Sequence, residues 1–389
     1  GNLAAGDQAR RPTTRRGGTD LAIKVDSDGR IRRLQAEMAR QQVQLLAIAP
    51  TVNMRYLLGF ASFADERPCF LLLTPNTARL VVPALNAGQF EAHTTLPMVR
   101  WADADGARPA LAQSLVALDV GPRVRMAVDN TMRADALLLL QEMVLPAQSL
   151  PADGLMAALR VVKSPEEVKA LALSAALADE AMLAGVAACR PGATERDVAD
   201  AVIDRFRKGG AETIEFAIIA SGPNGAFPHH ETGQRRLEAG DTIVLDIGAS
   251  LDGYKSDITR MVHLGEPPEE VRAAYAAVRA ANLAGQRASV AGALAREVDG
   301  ATRRSLEQEG YGPYFVHRTG HGLGMEGHEA PWITAESDTV LRAGMVFSVE
   351  PGVYLPGKFG IRVEDIVVVQ PEGTCRRLTG LDHELIVRA

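Results

Sequence analysis

Apolar positions recur every three to four residues from Ser27 onward. Ile31, Leu34 and Met38 share one face with arginines between them, which predicts an amphipathic helix. The unbroken apolar run Val43 to Ile48 reads as a buried strand. Phe70 to Leu73 and Ala78 to Val82 are two further strand-like runs, split by the turn signal Thr74-Pro75-Asn76. A strand at Arg125 to Val128 and a helix from Arg133 to Met143 follow. Strands alternating with helices imply an α/β domain, assigned to residues 27–155. It holds no glycine-rich phosphate loop, so no nucleotide is expected there. The stretch Pro146 to Val161 reads as the crossing into a second, α+β domain over residues 156–389.

That second domain reads as a doubled unit. Pro165-Glu166-Glu167-Val168-Lys169 opens one long Ala/Leu helix and Pro268-Glu269-Glu270-Val271-Arg272 opens another. The next helix of each half also starts alike, at Gly192-Ala193-Thr194-Glu195 and at Gly292-Ala293-Leu294-Ala295. Strands follow at Thr213 to Ser221 and Thr242 to His263 in the first half. In the second they lie at Met345 to Val353 and Gly360 to Val369. The expected geometry is two helix-pair-plus-strand halves meeting in one sheet, with a cleft at the join.

The chain has 389 residues, of which 47% are hydrophobic and 23% charged, enough for two domains with ordinary cores. No apolar run reaches the length of a bilayer span, so no membrane partner is expected. Residues 1–26, with Arg10, Arg11, Arg15 and Arg16 among Gly, Thr and Asp, are expected to be a disordered or added tail. Net charge is -6 and the clustered basic residues lie in that tail, which argues against nucleic acid. Cys69, Cys189 and Cys375 are isolated and odd in number, so free thiols and a reducing, cytoplasmic setting are expected.

The informative positions are acids in apolar strands. Asp246 interrupts Thr242-Ile243-Val244-Leu245-Asp246-Ile247-Gly248, where an unpaired carboxylate would be costly to desolvate. Asp252-Gly253 predicts a tight hairpin turn. That turn pairs Leu251 with Tyr254 and Gly248 with Asp257, which puts Asp246 diagonal to Asp257 on the same face. A second turn centred on Gly357 would set Glu350 opposite Glu364. Four acids on adjacent strands repel one another unless a cation lies between them. His321, in His317-Arg318-Thr319-Gly320-His321-Gly322-Leu323-Gly324, has glycines on both sides that leave room for backbone and metal to approach. An oxygen-rich set with one imidazole suits Mn, Fe, Co or Zn in a hydrolase holding two metals about 3.5–4 Å apart. Taken singly, each residue has a plainer reading: Asp246 as a satisfied core acid, His321 as a structural histidine. The conjunction in two halves of one repeat favours the metal. His230, His263 and His383 receive only packing roles.

Several segments carry a resemblance. They are Ala220-Ser221-Gly222-Pro223-Asn224 through Pro228-His229, Leu245-Asp246-Ile247-Gly248 and Ser256-Asp257-Ile258-Thr259-Arg260. Further along come Gly320-His321-Gly322-Leu323-Gly324, His328-Glu329, Val349-Glu350-Pro351-Gly352 and Arg362-Val363-Glu364-Asp365. With them, Ser27 to Arg388 resembles the pita-bread metallopeptidases, specifically the Xaa-Pro dipeptidases (prolidases) and their relative aminopeptidase P. The resemblance implies two divalent ions, manganese before zinc, cobalt or iron. Asp246 would chelate one, His321 and Glu350 the other, and Asp257 and Glu364 would bridge both. It implies that His229 and His328 contact the scissile peptide and stabilise the tetrahedral intermediate. Arg362 and His317 would orient ligands, with His317 also lining the substrate pocket. Glu350 is the expected proton carrier. The expected substrate is a small peptide with proline second, and a homodimer is implied.

One departure bears on substrate length. Glu336 stands fourteen residues before Glu350, where some prolidases carry an arginine that anchors a dipeptide's carboxylate. Aminopeptidase P activity on longer peptides is therefore an alternative. Others are a metal-free creatinase-like hydrolase and a non-catalytic peptide-binding relative. All five ligand positions are filled, which counts against the last two.

Overall fold

The computed structural model describes residues 25–389, so the expected tail lies outside the described residues but for its last two. The first helix, α1 (Ser27–Arg40), buries Ile31, Leu34 and Met38 on the face the spacing predicts, and Asp26 caps it by accepting from Gly29 N. It packs on a six-stranded mixed sheet, β1 (Leu45–Ile48), β2 (Phe70–Leu73), β3 (Ala78–Pro83), β4 (Met98–Trp101), β5 (Arg125–Val128) and β6 (Gln148–Pro151), ordered β4-β3-β2-β1-β5-β6. The connecting helices are α2 (Val52–Leu58), α3 (Ala87–Glu91), α4 (Ala107–Ala117) and α5 (Ala134–Val144). The strands β1 and β2 are buried at every position, which is why they read as continuous apolar runs.

The crossing from Pro146 to Val161 contains more order than expected. Gln148–Pro151 is the edge strand β6, and Asp153–Arg160 forms α6, which packs on α1. The expected division at residues 155/156 falls inside this helix.

The second part is α7 (Pro165–Ala188), α8 (Glu195–Lys208), β7 (Thr213–Ser221), β8 (Thr242–Leu251), β9 (Tyr254–Lys255) and β10 (Ile258–Leu264), then α9 (Glu269–Ala288) and α10 (Ala295–Gln308). Strands β11 (Gly320–Gly322), β12 (Glu329–Ile333), β13 (Val346–Val349), β14 (Gly352–Leu355), β15 (Phe359–Arg362), β16 (Asp365–Val368), β17 (Arg376–Arg377) and β18 (Ile386–Arg388) complete it. Helix α7 is apolar and long enough to cross a bilayer by composition, contrary to the reading of its sequence. Half of that stretch is buried, against α8 and β8, as in a core helix of a globular domain. Ser164 and Glu167 close its first turn reciprocally.

The doubling holds at the level of single hydrogen bonds. Gly192 N donates to Leu237 O and Leu237 N returns to Ala193 O, each at 2.8 Å. In the second half, Gly292 N donates to Leu341 O and Leu341 N to Ala293 O, again at 2.8 Å. The halves do not share one hydrogen-bonded sheet as expected. They form two five-stranded sheets, β18-β10-β8-β7 with β9 on β8, and β12-β11-β13-β16-β17, plus the ribbon β14-β15. The sheets touch where Thr259 of β10 bridges Glu364. Asp246, Asp257 and Glu364 gather at this seam.

Candidate metal centre and active site

Asp252 and Gly253 both take left-handed backbone angles, which a tight hairpin turn demands of its two central residues. The turn fixes Leu251 opposite Tyr254 and, further down, Asp246 opposite Thr259. Asp257 therefore lies diagonal to Asp246, as the turn predicts. In the second half, Leu355 pairs with Phe359 and Val349 with Asp365, so Glu350 and Glu364 occupy opposite positions of one register. The ladder breaks there. Glu350 N donates to Thr319 O of its own half at 2.8 Å, while Glu364 N donates to Thr259 O across the seam at 3.3 Å.

His321 is on β11, directly across from Trp332 of β12. The glycines beside it are required by backbone rather than by an ion. A Cβ on Gly320 would stand 1.8 Å from Ser348 O, and one on Gly322 would stand 2.2 Å from Ala330 O. Neighbouring strands press on both sides and hold the imidazole in place. Its Nδ1 faces Gly322 O at 3.1 Å; a carbonyl only accepts, so Nδ1 carries the proton. Nε2 then points at Glu350 Oε1, 3.2 Å away, and Asp257 Oδ2, 3.8 Å away.

Ligand atoms of Asp246, Asp257 and Glu364 all lie within 4.8 Å of one another, as do those of His321, Glu350 and Glu364. Asp246 Oδ1 is buried with no hydrogen-bond partner among the described residues, while its Oδ2 accepts from Arg362 Nη2 at 2.6 Å. Burial, then the charges of Glu364, Asp246 and Glu350, push the Asp257 carboxyl well above its ordinary value. Burial, Glu350 and Asp246 do the same to Glu364. Burial would also raise Glu350, but the hydrogen bond and charge of His321 outweigh it and hold that carboxyl down at about 2. Asp257 and Glu364 are carboxylates crowded without their counter-charge, and a divalent ion would restore the ionised form of both. The donor set fits a metal.

A cavity of about 480 Å³ opens onto this cluster, lined also by His229, Pro228, His317, Arg318, His328, Tyr354 and Arg362. The sequence-derived site residues thus share one cavity. His230, His263 and His383 line it nowhere, and Glu336 lies on the surface. Burial first, then the neighbouring His321 and Arg318 charges, lower His328 to about 4, so its imidazole is neutral at pH 7.

Tyr354 was not foreseen. Its ring folds back over Gly352, where a Cβ would meet the hydroxyl at 2.4 Å. Burial pushes that hydroxyl up to about 12, so it keeps its proton. It donates to His317 Nε2 at 2.8 Å and accepts from Arg362 Nη1 at 2.8 Å. His317 Nδ1 donates in turn to Arg318 O at 2.7 Å. Arg362 Nε donates to Thr259 Oγ1 at 3.2 Å, and that hydroxyl donates to Glu364 Oε2 at 2.7 Å. One guanidinium thus orients Asp246 directly and Glu364 through Thr259. Outer partners of this kind fix the rotamers of metal ligands.

Residues 169–371 match the model of Metallopeptidase family M24, and residues 30–162 that of the Creatinase/Prolidase N-terminal domain. The chain belongs to metallopeptidase family M24. M24 metallopeptidases use divalent metals, in agreement with the acid and histidine clusters. The protein named "Probable dipeptidase PepE" from Mycobacterium tuberculosis is 37% identical over 348 residues, 88% of this chain and 91% of its own. The Xaa-Pro dipeptidase of Pyrococcus furiosus is 32% identical over 358 residues, 92% of this chain and 99% of its own. Dipeptidase PepE from Mycobacterium ulcerans superposes with a TM-score of 0.87 at 35% identity, over 95% of this chain and 99% of its own. The M24 domain of this chain is the one that carries the acid cluster, and its fold is the α+β pita-bread arrangement.

Proposed function

We propose that this M24 metallopeptidase hydrolyses the peptide bond preceding proline in Xaa-Pro dipeptides, using two divalent ions, with manganese the favoured metal. The carrying observation is the five-residue cluster: Asp246 Oδ1 is buried with no hydrogen-bond partner among the described residues, and ligand atoms of Asp246, Asp257 and Glu364, and of His321, Glu350 and Glu364, lie within 4.8 Å of one another. Asp246 would hold one ion, His321 and Glu350 the other, with Asp257 and Glu364 between them. When bound, the ions lower the pKa of a water and polarise the scissile carbonyl.

The protein's own groups supply the rest. Ser348 Oγ donates to Glu350 Oε1 at 3.0 Å, which leaves Oε2 to take a proton from the attacking water and return it to the leaving proline nitrogen. That nitrogen is a tertiary amide without N–H, so the site must supply a proton and need accept none from it. Neutral His328 donates toward the developing oxyanion, and His229 lines the same cavity. Arg362, Tyr354 and His317 hold these groups in register.

A homodimer and a reducing, cytoplasmic setting belong to the same proposal. Cys69, Cys189 and Cys375 are free, and burial pushes each thiol up to about 12, which makes it inert. The test is a panel of Xaa-Pro dipeptides and Gly-Gly with defined metals. Cleavage of the proline dipeptides that stops on chelation and returns with metal supports the reading. Equal cleavage of Gly-Gly, or activity untouched by chelators, contradicts it.

A further inference from the structure

Among the described residues the catalytic cavity is lined by two arginines, Arg318 and Arg362. Arg362 is consumed by Asp246, Tyr354 and Thr259. Arg318 is different: among the described residues no carboxylate or carbonyl accepts from its guanidinium, which instead lies 4.7 Å over the Trp332 ring. Stacking on an indole fixes the plane of a guanidinium and leaves its N–H edge free. That edge is the fork that pairs with a carboxylate.

A second cavity, also about 480 Å³, lies between the two domains. Asn53, Asp129 and Arg160 line its first-domain side, and Glu326, His328 and Trp332 the other. His328 borders both cavities, Arg318 borders the catalytic one, and Trp332 borders the second. The stacked pair Arg318–Trp332 and His328 therefore form the partition between the two spaces.

We propose that Arg318 is the length-determining residue of the substrate site. It receives the C-terminal carboxylate of a dipeptide and, with Trp332, closes the catalytic cavity against the interdomain cavity. This rests on the Xaa-Pro reading above. A substrate that ends at proline presents its carboxylate to the free fork. A tripeptide presents an uncharged amide there, and its third residue is directed at the partition.

The test compares three substrates of one sequence: an Xaa-Pro dipeptide, its C-terminal amide and the Xaa-Pro-Gly tripeptide. The native enzyme, Arg318→Lys and Arg318→Ala are assayed, each with bound metal and melting temperature measured. The native enzyme is expected to favour the acid over the amide by roughly 10- to 100-fold in kcat/KM, mostly in KM, the scale of a lost charge-assisted pair. In Arg318→Ala that ratio collapses toward one and the tripeptide gains relative to the dipeptide. Arg318→Lys keeps part of the ratio, because charge remains without the fork. If the acid-to-amide ratio is unchanged in Arg318→Ala with metal intact, the assignment is overturned. If both variants misfold, a native enzyme that cleaves acid and amide equally overturns it without them. A native enzyme that cleaves none of the three overturns the Xaa-Pro reading itself, a separable outcome.

Discussion

Arg362 donates to the hydroxyl of Tyr354 at 2.8 Å, across the hairpin whose base carries Glu350 and Glu364. The bond joins a cation that orients Asp246 to the hydroxyl that orients His317. Tyr354→Phe removes the hydroxyl while keeping the ring. It should lower kcat by about 10- to 100-fold, the scale for partners that orient metal ligands. Steady-state kinetics with metal content measured in parallel checks this; full activity in Tyr354→Phe would leave Arg362 without that relay.

His328 lies beside His321, with ring centroids 3.9 Å apart, and one of the possible ligand groupings includes it. The proposed role is oxyanion donor, so His328→Ala should reduce kcat by roughly 10²–10³-fold and keep its metal. Loss of an ion in that variant would make His328 a ligand.

The crowded acids set the pH response of the metal-free protein. Asp257 and Glu364 have folded pKa values raised above those of the unfolded chain, so the native state binds more protons through this range. Stability from these groups is greatest below the unfolded carboxylate pKa, about 4, and falls as pH rises toward their raised folded values. Metal-free protein should therefore lose melting temperature from about pH 4 upward relative to metal-free Asp257→Asn, which lacks one repelling charge. Two parallel profiles would contradict the crowding.

Behind Glu364, Asp365 Oδ1 accepts from Arg260 Nη2 at 2.8 Å, both residues fully buried. Burial would raise the Asp365 carboxyl, but Arg260 and His383 outweigh it and hold it well below the usual range. Asp365→Ala leaves the buried Arg260 charge unpaired and should cost about 3–5 kcal/mol, read by denaturant unfolding. A loss under 1 kcal/mol would show that the surrounding carbonyls of Glu364, Leu381 and Asp382 suffice.

The parts of the site written in turn chemistry were legible in the sequence. Asp252-Gly253 dictates its hairpin register, and with it the diagonal of Asp246 and Asp257; Gly357 centres the second hairpin in the same way. The parts that depend on side chains crossing between distant elements were not. Nothing local to Tyr354 indicates that its ring turns back over Gly352 toward Arg362. The stacking of Arg318 on Trp332 needs β12 folded against β11 before it exists. Likewise Arg160 and Lys163 both pair with Glu329, an anchor between the domains that neither segment announces. Strand β6 was missed because it is an exposed edge without apolar alternation. The single sheet expected for the two halves became two, because their polar faces meet across the cluster rather than pair along an edge.

Metal stoichiometry against activity reaches the centre of the account. Chelated protein is titrated with a divalent ion while bound metal and Xaa-Pro turnover are followed together, for the native chain and for Asp257→Asn. The expected result is two ions per chain with turnover appearing as they bind, and loss of both in the variant. Turnover at full rate in the variant, or without bound metal, would contradict it.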